Sequence, residues 1–178
     1  MIDELLLTVL LTSVPLTLAA TGELVAEKSG VLNLGVEGMM LMGAVAAFGA
    51  ALVSGSPYLG IISGGLAGMA TAAVFALFTL GLATNQVATG LALTIFGTGL
   101  SGLVGAPLVG QAIDGLPELH IAILARIPVL GAAFKLDIMA YGCVLLVALT
   151  AWFLSSTRAG LILRSVGVNH DSAHALGY

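Results

Sequence analysis

The chain has 178 residues, of which 59% are hydrophobic and 8% charged, with a net charge of −4 and a mean hydropathy of +1.14. Charges this sparse cannot solvate the surface of a water-soluble fold, and without a basic stripe nucleic acid is not an expected partner. From residue 29 to residue 113 the sole Asp, Glu, Lys, Arg or His is Glu37; since a span takes roughly 20 apolar residues, that run reads as about three membrane crossings.

In chain order the hydropathy pattern predicts five spans in an all-α integral membrane protein. The first runs from about Leu5 to Val25, with Pro15 near its middle, where a kink is tolerated if neighbours satisfy the freed carbonyl. Asp3 and Glu4 stand where a signal peptide has basic residues, so this stretch is expected to be retained as a helix. The second covers about Val31 to Val53 and ends at Ser54-Gly55-Ser56-Pro57. The third runs from about Tyr58 to Leu82, and Thr84-Asn85-Gln86 separates it from a fourth that reaches about Val109. A less apolar stretch with Asp114, Pro117, Glu118, Arg126, Pro128, Lys135 and Asp137 precedes the fifth span, about Ile138 to Leu154, where Trp152 marks headgroup level. A polar tail, 155–178, follows. The sole cysteine, Cys143, lies in an apolar run and excludes an intrachain disulfide.

Small residues recur every four positions at Gly43, Ala47 and Ala51, and again at Gly60, Gly64 and Gly68. Residues four apart share a helical face, so both strips predict close contact between helices. The basic residues orient the chain: five spans put Lys28, Arg158 and Arg164 on one side, expected to be cytoplasmic.

Glu37 draws attention because an ionisable group inside a membrane is costly and usually faces a cavity or the bundle interior. It either lines a polar pathway or bonds an adjacent helix or Asn33, which shares its face if the helix is continuous. Gly30, Gly35 and Gly38 make a broken helix equally open, and a break would expose amide groups of the kind transporter sites use. Asn85 is read first as an N-cap of the fourth span, with a place for it and Gln86 in the pathway as the second reading. No catalytic arrangement or metal cluster is visible. His170 and His174 lack a third ligand, and Glu27 occupies the position where a phosphate loop around Gly22, Lys28 and Ser29 needs glycine. In the tail, Asn169 or Asp171 can cap a short helix over 172–176 that Gly177 stops.

Two segments carry a specific resemblance. Gly30–Met40 (GVLNLGVEGMM) and Thr157–Gly177 (TRAGLILRSVGVNHDSAHALG) closely resemble the permease subunits of ABC importers in the branched-chain amino acid, ribose and simple sugar superfamily. The first segment, with Asn85–Leu93 (NQVATGLAL), looks most like the nucleoside/simple-sugar branch. The resemblance covers nearly the whole chain in order. It implies a polytopic helical bundle of the vitamin-B12-importer type, with a permease domain over 1–178 (spans within 5–154) and a cytoplasmic coupling segment, 155–178.

Arg158, Gly160, Arg164, Gly167, Asn169, Ala173 and Gly177 are the coupling residues so implied, and Asn33, Glu37, Asn85 and Gln86 are the pathway candidates. Val168, His170 and Tyr178 depart from the pattern, where an acidic residue, a proline and an aliphatic are common. The implied role is transport of nucleosides or related sugars by alternating access. The implied partners are two ABC ATPase subunits, a substrate-binding protein and a second permease, identical or related. The chain would then be no enzyme and hold no cofactor, ATP-Mg belonging to the ATPase. The implied location is the bacterial cytoplasmic membrane. Members continue through further helices, so the chain is expected to be C-terminally truncated. The rival reading is a proton-coupled secondary transporter with Glu37 as carrier.

Overall fold

The computed structural model describes residues 2–113, 115–117, 136–175 and 177, with side chains from residue 5 onward. The polar stretch holding Asp114, Glu118, Arg126, Pro128 and Lys135 lies outside the described residues, as do Leu176 and Tyr178. The described residues are mostly helical. In order the helices are α1 (Ile2–Lys28), α2 (Val36–Ser54), α3 (Pro57–Ala76), α4 (Gln86–Gly105), α5 (Ile138–Ser156), α6 (Arg158–Val168) and α7 (His170–Ala175). A π-helical turn, Leu77–Gly81, extends α3, and a 3-10 turn, Ala106–Leu108, extends α4. Among the described residues five helices are long and apolar enough to cross a membrane: Leu5–Lys28, Val36–Ser54, Pro57–Gly81, Gln86–Leu108 and Ile138–Ser156.

The helix ends follow local chemistry. Asn85 Oδ1 accepts from the Ala88 amide at 3.0 Å and Asp137 Oδ1 from the Ala140 amide at 2.9 Å, so α4 and α5 start on side-chain caps. Thr157 Oγ1 accepts from the Gly160 amide at 3.0 Å and Asn169 Oδ1 from the Ser172 amide at 2.9 Å, which does the same for α6 and α7. Pro57 sits in the first turn of α3, where its missing N–H costs nothing. Gly55, with φ +66, stops α2. The first helix runs on through Pro15 to Lys28.

Contacts divide the chain into two units, Leu32–Gly115 and the remainder, Met1–Val31 with Leu116–Tyr178. In the first, α2 packs on α3 through the predicted strips. A Cβ on Gly60 would lie 2.8 Å from the Ala47 carbonyl oxygen, and one on Gly64 would lie 2.9 Å from that of Gly43. Backbones this close gain dispersion contact, which drives helix association where lipid removes the hydrophobic term. Ser63 Oγ adds a bond to the Ala46 carbonyl at 3.0 Å. Gly68 is not part of the contact, having nothing within 4 Å of its Cβ position. In the other unit α1 packs against α5, where the buried Cys143 thiol points at the Val14 carbonyl at 3.9 Å.

Candidate substrate pathway and coupling segment

The second span starts later than its hydropathy predicts. Residues 31–35 are irregular, and α2 begins only at Val36. Asn33 causes the break locally, because its Oδ1 accepts from the Gly35 amide at 2.9 Å. This turn competes with the helix for that amide. Asn33 and Glu37 therefore do not share the face of a continuous helix. The Asn33 side chain instead turns toward Met39, its Nδ2 lying 3.6 Å from Sδ.

Helix α4 holds the loop from a distance. Gln86 Oε1 accepts from the Leu32 amide at 2.8 Å, and Thr94 Oγ1 donates to the Leu34 carbonyl at 2.8 Å. Gly90 lies between these two anchors, where a Cβ would come within 2.7 Å of the Leu34 nitrogen. Irregular backbone at membrane depth is tolerated only where its polar groups find partners in the protein, and α4 supplies them. One turn beyond Thr94, a Cβ on Gly97 would meet the Gly38 Cα at 2.6 Å.

The four pathway candidates thus fall on one structural feature, the loop and the helix starts beside it. Three use their side chains on backbone: Asn33 on Gly35, Asn85 on Ala88 and Gln86 on Leu32. Glu37 differs. It is exposed in the first turn of α2, and no hydrogen bond or ion pair joins its carboxylate to another described residue. A carboxylate there benefits from the positive end of the helix dipole. Separately, α3 and α4 enclose a groove of about 490 Å³ lined by Phe75, Phe78, Thr89, Leu93 and Phe96, among others, and none of the four candidates borders it.

The tail is helical where its motif falls. Gly160 is buried at the α5–α6 corner, its Cα against the Phe153 carbonyl and the Leu154 Cα, with no room for a side chain. Gly167 sits against the Lys28 carbonyl and Gly30. Arg158 opens α6 and is exposed, whereas Arg164 is half-buried and its Nε donates to the Gly160 carbonyl at 3.4 Å. Asn169 caps α7, Ala173 is 4% exposed, and Gly177 takes φ +89 as its amide donates to the His174 carbonyl at 3.0 Å. The short helix starts at His170 rather than Ser172, since the cap is Asn169 and not Asp171.

Sequence reasoning missed Thr94, Gly90 and Gly97. Their signal was present in the spacing of Gln86, Gly90, Thr94 and Gly97 along one side of α4, but the partner loop is more than fifty residues away.

Five apolar helices, with glycine contacts drawing α2 close to α3 and α4, define a multi-pass helical membrane protein. Residues 5–178 match the family described as branched-chain amino acid transport system / permease component, and the chain belongs to that family. It is 40% identical over 167 residues to the putative glucose ABC transporter permease protein of Haloferax volcanii, covering 91% of this chain and 51% of that one. It is 32% identical over 182 residues to the guanosine ABC transporter permease protein of Bacillus subtilis, covering 94% of this chain and 57% of that one. The nucleoside ABC transporter permease protein of Lactococcus lactis is 30% identical over 180 residues, with the same two coverages of 94% and 57%. The chain spans about half the length of the curated relatives it matches. No solved structure matches it significantly.

Proposed function

We propose that the chain is part of the membrane permease of an ATP-driven importer for nucleosides or a related sugar. The observation that carries this reading is the match, over more than nine-tenths of the chain, to relatives named as glucose, guanosine and nucleoside ABC transporter permeases. In this reading two ATPase subunits bind ATP-Mg, a binding protein delivers substrate, and a second permease completes the pathway, all in a bacterial cytoplasmic membrane. The spans within residues 5–154 carry the substrate by alternating access. The segment 155–178 takes the motion of the ATPase, with Lys28, Arg158 and Arg164 on the cytoplasmic side. The chain performs no chemistry; its part is to expose a polar path to one side at a time, with Glu37, Asn33, Asn85 and Gln86 as its candidate lining.

The test is uptake of radiolabelled nucleosides and glucose into proteoliposomes holding the full permease with its ATPase and binding protein. Uptake that requires enclosed ATP and the binding protein is the expected result. Uptake driven by an imposed proton gradient alone would overturn the reading and make Glu37 a proton carrier.

A further inference from the structure

Both walls of the α3–α4 groove belong to the unit Leu32–Gly115. Its volume of about 490 Å³ falls within the roughly 300–1,000 Å³ of small-molecule sites. Phe75 and Leu93 are buried in its walls, whereas Phe78 and Phe96 keep 43% and 57% of their surface free. One ring from each helix is thus left open to a further partner. Leu93 also backs the groove onto the Asn33 loop, where a Cβ on Gly35 would stand 3.1 Å from its Cδ2.

The hydroxyl in the lining, that of Thr89, has a fixed polarity. Thr84 donates twice to the Phe78 carbonyl, from its amide at 3.1 Å and from Oγ1 at 2.9 Å. A hydroxyl carries one hydrogen, so in the 2.9 Å contact between the Thr84 and Thr89 hydroxyls Thr89 is the donor. With its hydrogen engaged, Thr89 offers the groove an acceptor lone pair. Phe78 lies in the π-helical turn Leu77–Gly81, a local form frequent at functional sites.

We propose that this groove receives the base of a nucleoside, with Phe78 and Phe96 against the ring and Thr89 accepting from an N–H at its edge. The proposal rests on the importer reading and, of nucleosides and sugars, selects nucleosides. A nucleobase offers an aromatic ring a stacking face and offers an acceptor an N–H, the two things this lining can use. A sugar carries hydroxyls all round, and a single acceptor oxygen leaves the rest unpaired among phenylalanines, each at a cost. An acyl chain has no donor for Thr89.

The experiment is photolabelling of the complete transporter in nanodiscs by 8-azidoadenosine, with the labelled permease peptides mapped and competitors titrated. Label is expected in residues 74–78 and 88–96, displaced by adenosine and not by glucose. Phe78→Leu and Phe96→Leu are each expected to weaken displacement by adenosine about tenfold, as loss of a stacking partner does. Indole and benzofuran share a shape but carry N–H and O respectively at one ring position. Wild type is expected to prefer indole as competitor, and Thr89→Val to lower that preference about tenfold. Because the reading is a change in ratio, the partition of the two probes into lipid cancels.

An unchanged preference in Thr89→Val would overturn the acceptor role. Label displaced by oleate and not by adenosine would overturn the proposal in favour of a lipid chain. Absence of label there, with ATP-driven adenosine uptake intact in the same preparation, would overturn the groove site and leave the importer reading standing. Uptake driven by a proton gradient alone would overturn both. Should a variant fail to fold, mapping and competition on the wild type decide.

Discussion

Gly38 of α2 and Gly97 of α4 meet backbone to backbone: a Cβ on Gly97 would lie 2.6 Å from the Gly38 Cα and 2.7 Å from its carbonyl oxygen. One residue after Glu37, this contact sets how near α4 comes to the loop whose amides and carbonyls it binds. The position of the lone acid of the apolar run is thus tied to two hydrogen atoms that stand where side chains would be.

Gly97→Ala is expected to destabilise the protein by about 1–3 kcal/mol, the usual cost of adding a methyl group to a packed contact. Gly99→Ala is expected to be neutral, since nothing lies within 4 Å of its Cβ position. Thermal unfolding in detergent distinguishes the pair, and equal melting temperatures would contradict the packing.

Gln86→Leu removes the acceptor of the Leu32 amide and should cost about 1 kcal/mol, the net worth of a typical internal hydrogen bond. Amide exchange at Leu32 is expected to rise about fivefold. Gln86→Glu keeps an acceptor oxygen at the same reach and should restore protection. If neither variant alters exchange at Leu32, α4 does not hold the loop.

Glu37→Gln preserves shape and removes the charge. Because its carboxylate has no bond to another described residue, thermal stability is expected to stay within about 0.5 kcal/mol of wild type. Uptake should nevertheless fall if the carboxylate lines the path. Full uptake at the wild-type rate would assign Glu37 no transport role.

Arg164→Glu should uncouple ATP hydrolysis from uptake while leaving delivery by the binding protein unchanged, because it reverses a charge on the segment proposed to meet the ATPase. Arg164→Ala tests whether the half-buried stem matters on its own, since an arginine also packs through its methylenes. Normal ATP-driven uptake in the Glu variant would remove Arg164 from the coupling residues.

Much of the architecture was legible without coordinates. The five spans, the cap at Asn85, the turn at Gly55 and most of the α2–α3 strip follow from hydropathy and residue type, which act over a few neighbours. The Gly68 end of the strip does not pack, because spacing gives a shared face but not how far along it two helices stay in contact. The late start of α2 was one of two open readings. Asn33 could share a face with Glu37 in a continuous helix, or Gly30, Gly35 and Gly38 could break it, and the Asn33 side chain competing for the Gly35 amide is what favours the break.

By its sequence alone the protein is a membrane-spanning helical chain with one acid in its longest apolar run and a distinct helical tail, because desolvation fixes which segments can lie in lipid. Only the structure decided that Asn33 bonds the Gly35 amide in an irregular turn, that Gln86 and Thr94 hold the loop, and that Gly167 rests against Gly30. The Asn33 turn is local, but the bonds from Gln86 and Thr94 join residues more than fifty positions apart, and contact across that separation is set by how whole helices pack.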